Sequence, residues 1–309
     1  MTIAVLRVTL RLAEDVPDRY LLFRMRDGFQ GAFRLVAGCR EGECGRCDRY
    51  RECPYRIVFA QELSSDPTEV KRHQKPPLPF AFSFPVLATP PNAGLVFEVR
   101  LALVGTATRF VTEFVEAIKF LCVKPGEKYE LAAVVERVES LGYHGEPSLI
   151  HAEGLSPGIA DSLTLLTAEG LRDTRLVDFS GKMKLRLVTP LKLMQEGRPS
   201  RVFSFSHFMR TLIRRISSLS SYYSDDGISA DFRWLASLCE TVTVSGSSIH
   251  RVEWGGAKQG GRLAGLTGEA VLTGVPEEFI LFLLAGELLN VGKGAAFGLG
   301  RFTVTAEGP

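Results

Sequence analysis

Three groups of residues in this chain have types and spacings that can do chemistry. The first is Cys39, Cys44, Cys47 and Cys53, a C-x4-C-x2-C-x5-C run with glycines at 38, 42 and 45. Four thiolates on a glycine-bearing loop can close a tetrahedron around Zn²⁺. The spacing is not that of the C-x2-C-x2-C-x3-C-P ferredoxin run, although Pro54 follows the last cysteine, so structural zinc is the expectation rather than an iron–sulfur cluster. Four protein ligands leave no open position, so such a metal would brace the loop and catalyse nothing. The second group is Gly292-Lys293-Gly294-Ala295-Ala296-Phe297-Gly298-Leu299-Gly300. A glycine-rich loop with a lysine can cradle phosphates with its N–H groups. Its order is helix, loop, strand, whereas a P-loop and a Rossmann loop each open a helix. A helix C-cap and a tight turn explain the glycines equally well.

The third group is His207, Arg210, Arg214 and Ser218. Their spacings of three and four put them on one helix face, with Arg215 at its border. Lys184 and Arg186 form the basic outer face of a strand. Together these cations could make salt-dependent phosphate contacts in a groove, against the plainer explanation of a solvated helix face. Lys258 and Arg262, with Arg251, surround the glycine pairs 255–256 and 260–261 in a basic loop that could make further phosphate contacts.

The loop at 292–300 resembles the C-terminal glycine-rich loop of the RAMP superfamily of CRISPR-associated proteins: Gly-Lys-Gly, three residues, Gly-Leu-Gly, between a helix and the last strand. Leu101 to Gly105 running into a helix, Thr189-Pro190-Leu191, Leu212-Ile213-Arg214-Arg215-Ile216 and Gly265-Leu266-Thr267-Gly268 resemble further stretches of the family, in the expected order. Within the superfamily the chain resembles the endoribonucleases that cut precursor CRISPR RNA at each repeat. The resemblance implies an α+β fold of two ferredoxin-like (RRM-like, β-α-β-β-α-β) units, the first with the Cys-rich loop inserted. It implies CRISPR repeat RNA and mature crRNA as partners, with other CRISPR effector subunits as further candidates, and a monomer or homodimer. It points to Gly292, Lys293 and Gly294 as RNA contacts.

The implied chemistry needs no metal. A ribose 2′-OH attacks the adjacent phosphate and leaves a 2′,3′-cyclic phosphate, with general acid–base help worth roughly 10²–10⁴-fold. Histidine suits that role near neutral pH. Of the five histidines, His207 ranks first for its helix-face company and His151 second, and Tyr222 could assist proton transfer. Two departures from the family pattern stand out. Relatives often carry a His just before Val-Gly-Lys, where this chain has Asn290, and many carry a catalytic His in the first helix region, whereas this chain has none before His73. A non-catalytic RAMP subunit that holds guide RNA, or a zinc-containing RNA-binding protein, are the competing readings.

The surrounding elements follow from composition and periodicity. The chain has 309 residues, 45% hydrophobic and 23% charged, with a net charge of +2, enough for two packed domains. A local basic groove is compatible with that charge; a chain basic throughout is not. No apolar run is long enough to span a bilayer, and the N-terminus reads as a strand rather than a signal peptide, so a cytoplasmic protein is expected. Cys122 and Cys239 sit in apolar surroundings and read as buried thiols.

Residues 3–12 alternate as a half-buried strand. Residues 20–37 read as more strand, interrupted by Asp27-Gly28. Residues 94–105 are the clearest strand, followed by a helix from about Thr108, then a strand from Tyr129 to Val138. In the second half, strands are expected at Met183–Thr189, Thr241–Ser245 (resuming towards Trp254), Leu266–Thr273 and Phe302–Thr305, with helices at 203–219 and at Pro276–Asn290. That order is β-α-β-β-α-β. The expected domains are 1–180, with the four-cysteine loop at 38–54, and 181–309, with the glycine-rich loop at 292–300.

Overall fold

The computed structural model describes residues 1–39, 47, 52–63, 76–122, 132–152, 162–174, 182–224, 227–228, 230–255 and 263–307. The fold is mixed α+β with antiparallel sheets. In the first half lie β1 (Thr2–Leu12), α1 (Met25–Val36), β2 (Phe80–Ser83), β3 (Val96–Val104), α2 (Val111–Cys122), β4 (Ala133–Leu141), β5 (Pro147–Ala152), β6 (Leu165–Thr167) and α3 (Ala168–Thr174). In the second half lie β7 (Lys182–Leu191), a hairpin of β8 (Met194–Gln195) and β9 (Arg198–Pro199), α4 (Phe205–Tyr223), α5 (Phe232–Leu238), β10 (Thr243–Ser247), β11 (His250–Trp254), β12 (Leu263–Thr273), α6 (Ile280–Leu289) and β13 (Phe302–Glu307). The first sheet runs β2-β3-β1-β4-β5, with β6 also on β1; the second runs β10-β12-β7-β13, with β11 also on β12.

The burial of β1 shows how the layers stack. Leu6, Val8 and Leu10 pack with Phe29, Phe33 and Phe114 of α1 and α2. Ile3 and Val5, on the opposite face, join a core with α4, α6 and the inner face of β7. A strand whose two faces both meet apolar layers loses the polar half of its alternation. The layers therefore run α1/α2, first sheet, α4/α6, second sheet.

The segment 20–37 corrects the expected strand. Residues Met25–Val36 form a helix, and Met25, Phe29, Ala32 and Phe33 are its buried residues. Their spacings of four, three and one are those of a helical stripe, and Asp27-Gly28 lies inside the helix rather than in a turn. The strand expected from Tyr129 begins at Ala133; residues 129–131 lie outside the described residues. The domain boundary expected near 178–182 likewise falls largely outside them. Strand β2 and helix α5 carry no expectation from the sequence.

Helix α5 is short, and its start depends on one side chain. Asp231 accepts hydrogen bonds from the backbone N–H groups of Arg233 (2.9 Å) and Trp234 (3.0 Å). Without that cap two amides lose their partner. Asp231→Ala is expected to lower stability by about 1 kcal/mol and to raise hydrogen exchange locally in 232–238, leaving the sheets protected. Even exchange throughout the chain would contradict a local role.

The two halves meet along several contacts. Trp254 stacks on Tyr20 at 5.0 Å between centroids, and Phe23 meets the same indole edge-on at 5.9 Å. The guanidinium of Arg19 lies 4.8 Å from the centre of the Tyr20 ring. The Tyr223 hydroxyl donates to the Pro77 carbonyl at 2.9 Å, and its burial pushes the phenol pKa well up.

Candidate nucleic-acid interface

The glycine-rich loop is bound tightly between the halves. Asn290 ends α6 with φ 56°, is fully buried, and its Nδ2 donates to Phe82 O (2.8 Å) and Ala295 O (2.9 Å). Phe82 N in turn donates to Ala296 O at 2.9 Å, so β2 and the loop are joined through backbone as well as side chain. Thr189 Oγ1 donates to Gly298 O and accepts from Arg301 N, both at 2.8 Å. Asparagine tolerates positive φ better than most residues.

The glycines answer to packing. Every one of Gly292, Gly294, Gly298 and Gly300 has positive φ. A Cβ on Gly292 would meet Lys192 O at 2.7 Å, and one on Gly298 would meet the Phe84 ring at 2.6 Å. The amides of Lys293, Ala295, Phe297, Gly298, Leu299 and Gly300 already donate inside the protein. Most of the N–H groups that could cradle a phosphate are therefore committed to the fold. Lys293 is exposed.

Helix α4 places the histidine and arginines. Ser204 caps it, its Oγ accepting from His207 N at 3.3 Å. Arg210 and Arg214 are exposed and line a groove of about 720 Å³ against α5, where Arg233 and Phe232 form the other wall. Arg210 pairs with Glu240 at 2.7 Å, so its charge is partly met. Arg233, and the half-exposed Trp234 beside it, escaped the sequence reading because α5 is too short to give a periodic signal.

Arg215 is a correction. The residue is half-buried with a guanidinium nitrogen covered, and Nε donates to Leu289 O at 3.0 Å, at the C-terminal end of α6. A cation there meets the negative end of the helix dipole. Burial pulls its pKa down to about 10, with nearby Tyr223 acting the other way. The guanidinium lies against the end of α6 and is not among the residues lining the α4 groove. Ser218, expected on the polar helix face, is also buried, because the second half of α4 lies between the two sheets.

Lys184 and Arg186 are not beside the α4 groove. Met183, Leu185 and Leu187 face the helices, and strand alternation sends Lys184 and Arg186 to the other face. There both lean on Glu269, at 3.5 and 3.7 Å. The catalytic candidates are also apart. His207 and Tyr222 stand at opposite ends of α4, fifteen positions or about 22 Å apart, and Tyr222 packs against the core. His151 lies on β5 in the first sheet. Burial lowers its pKa first, Lys119 adds to that, and Glu116 opposes it. These three are alternatives and cannot serve one phosphate together.

Of the four cysteines, Cys53 is buried and Cys39 and Cys47 are half-buried; Cys44 lies outside the described residues, as do Lys258 and Arg262. Among the described residues no three metal-ligating side chains gather. Cys122 and Cys239 are buried as expected, and burial pushes the Cys122 thiol up to about 12. No helix among the described residues is long and apolar enough to cross a membrane.

Residues 185–302, which span β7, α4 and the glycine-rich loop, match the family model of the CRISPR-associated endoribonuclease Cas6. Residues 1–158 match the AF_1859_N N-terminal domain. The Cas6 match thus lies in the second half of the chain. Solved Cas6 structures share its fold from end to end. A Cas6 product complex is 18% identical over 99% of this chain and 100% of that one, with a TM-score of 0.54. Thermus thermophilus Cas6 is 14% identical over 98% of each chain, at 0.54. In a Cas6–RT–Cas1–Cas2 complex the match is 12% identical over 99% of this chain and 29% of the other, at 0.60. No curated protein matches the chain. The family match supports a CRISPR RNA-processing endoribonuclease over the guide-holding and generic RNA-binding readings.

Proposed function

We propose that this protein is a Cas6-like endoribonuclease that cleaves CRISPR repeat RNA by internal transesterification and needs no metal ion for the step. The ribose 2′-oxygen forms a bond to the adjacent phosphorus as the bond from phosphorus to the 5′-oxygen breaks. One proton leaves the 2′-OH to a base and one is delivered to the departing 5′-oxygen, giving a 2′,3′-cyclic phosphate and a 5′-hydroxyl. The nucleophile is already part of the substrate, so the protein has only to place a base, an acid and a cation. The observation that carries this reading is the groove in the family-matched half, where Arg210 and Arg214 of α4 face Arg233 of α5, on the helix that carries His207 in its first turn. His207 is the base we assign, and the arginines hold phosphates. We further read each sheet, with its strand order β2-β3-β1-β4 or β10-β12-β7-β13, as one ferredoxin-like unit, and the four-cysteine loop as a zinc-braced insertion of the first. Cysteine thiolates suit zinc, and the metal there would supply no chemistry to cleavage.

The test is incubation with the cognate repeat RNA in EDTA, beside the same RNA with a 2′-deoxy sugar at the cut. Cleavage of the first alone is expected, and His207→Ala should slow it by roughly 10²–10⁴-fold. Cleavage of the deoxy RNA would overturn the mechanism. An unchanged rate in His207→Ala would overturn the base.

A further inference from the structure

A second cluster of cations lies where the two halves meet, on residues that the α4 groove does not include. Between the first sheet and the start of β13 is a cleft of about 200 Å³. Arg100 of β3 and Arg301, just after the glycine-rich loop, both line it, with the hydroxyl residues Ser83 and Thr303. Val5 and Ala102 line it too, where the first sheet turns from its covered, apolar part to its open part.

The charges in this cleft do not cancel. Arg7, opposite Arg100 on β1, is taken up by Glu139 at 2.9 Å and approaches Glu98 at 3.8 Å. None of the described carboxylates pairs with Arg100. Glu287, the one carboxylate lining the cleft, accepts from Val304 N at 2.8 Å. Arg301 is fixed in place: one guanidinium nitrogen donates to Phe84 O at 3.0 Å, and its backbone is tied to Thr189 and Val188. Burial lowers the Arg301 pKa, and the nearby positive charge of Arg100 lowers it further. Two like charges held near each other, one of them partly desolvated, repel, and the single Glu287 carboxylate in the cleft offsets only one of them, which leaves a net positive charge for an anion. Guanidinium forks flanked by hydroxyls suit a phosphate.

We propose that Arg100 and Arg301 grip one phosphodiester of the RNA, at a site that exists only when the two halves are docked. The source of the phosphate as RNA rests on the nuclease reading; the anion site itself does not. Such a contact fixes the register of the strand relative to both sheets and carries no base specificity.

The test uses the full chain with Arg100→Gln, an exposed position where the variant should fold. Affinity for repeat RNA, made uncleavable by 2′-deoxy at the cut, is measured across salt concentrations. Loss of one phosphate contact should reduce the slope of log K against log salt by about 1 and weaken binding evenly across repeat sequences. A single neutral methylphosphonate is then moved along the RNA. At one position it should weaken the wild type and leave Arg100→Gln unaffected, and Arg301→Gln should be insensitive at the same position. In parallel, inorganic phosphate at fixed ionic strength should raise the unfolding temperature of the wild type more than that of Arg100→Gln.

Equal salt slopes, with methylphosphonates acting alike on both proteins, overturn the proposal. A phosphate effect on unfolding without any change of slope assigns the site to a free anion and overturns the RNA contact. A wild type that cleaves repeat RNA while the slopes agree defeats this site alone. A wild type that neither binds nor cleaves defeats the nuclease reading and the RNA source together, and the unfolding comparison then decides the anion site alone.

Discussion

Asn290→Asp should unfold far more readily than the wild type at neutral pH, and the difference should shrink in acid. The change swaps one donor for an acceptor and keeps the shape. In the native protein Asn290 Nδ2 donates to two carbonyls, Phe82 O and Ala295 O, and Oδ1 is buried without a partner among the described residues. A carboxylate there would face those carbonyls with no donor to meet it. An uncompensated buried charge costs about 3–5 kcal/mol, and repulsion from the carbonyls raises the folded-state pKa above the ordinary aspartate value of about 3.9. Between the two pKa values the native form holds more protons than the unfolded chain, so stability falls as pH rises. Below about 4 both states are protonated, and the acid form can donate to one carbonyl. Urea unfolding of variant and wild type at pH 4.5 and pH 8 measures this. Equal midpoints at pH 8 would show that Asn290 does not tie the loop to β2.

Gly300→Ala should be the most damaging single methyl addition in the glycine-rich loop. Gly300 has φ 66°, and a Cβ there would lie 1.8 Å from Val291 O, a backbone atom. Positive φ alone costs a residue with a side chain about 1–3 kcal/mol, and the carbonyl cannot move without breaking the turn, since Val291 N donates back to Gly300 O at 3.1 Å. A loss of about 3 kcal/mol or more is expected, together with slower repeat cleavage. Gly94→Ala is the matched control: φ is 81° but nothing lies within 4 Å of the added carbon, so only the backbone cost of about 1 kcal/mol applies. If the two variants unfold at the same urea concentration, the loop is not packed as described.

Which features were legible in the sequence depended on how local their cause is. Strands β1, β3, β7 and β12 and helices α2, α4 and α6 have long periodic stripes and were readable. Helix α1 was not, because Asp27-Gly28 mimics a turn inside a stripe of widely spaced apolar residues. Strand β2 is four residues long, and its identity comes from pairing with β3 and from the loop, whose Asn290 is 208 residues from Phe82. For the site, Arg210 and Arg214 were readable from helical spacing. Arg215 was misread since its neighbour, the end of α6, is 74 residues away, and no periodicity records which side of a helix a second layer will cover. Arg100 and Arg301 looked like ordinary strand and loop cations until the halves were brought together.

The stack of Trp254 on Tyr20 gives the protein a built-in optical gauge. The chain has two tryptophans, and the other, Trp234, is 47% exposed. With Trp234 changed to Phe, all indole emission would come from a ring held by the second half against Tyr20 and Phe23 of the first. Its wavelength and its energy transfer from Tyr20 would then report separation of the halves directly, without a label, while RNA enters and product leaves.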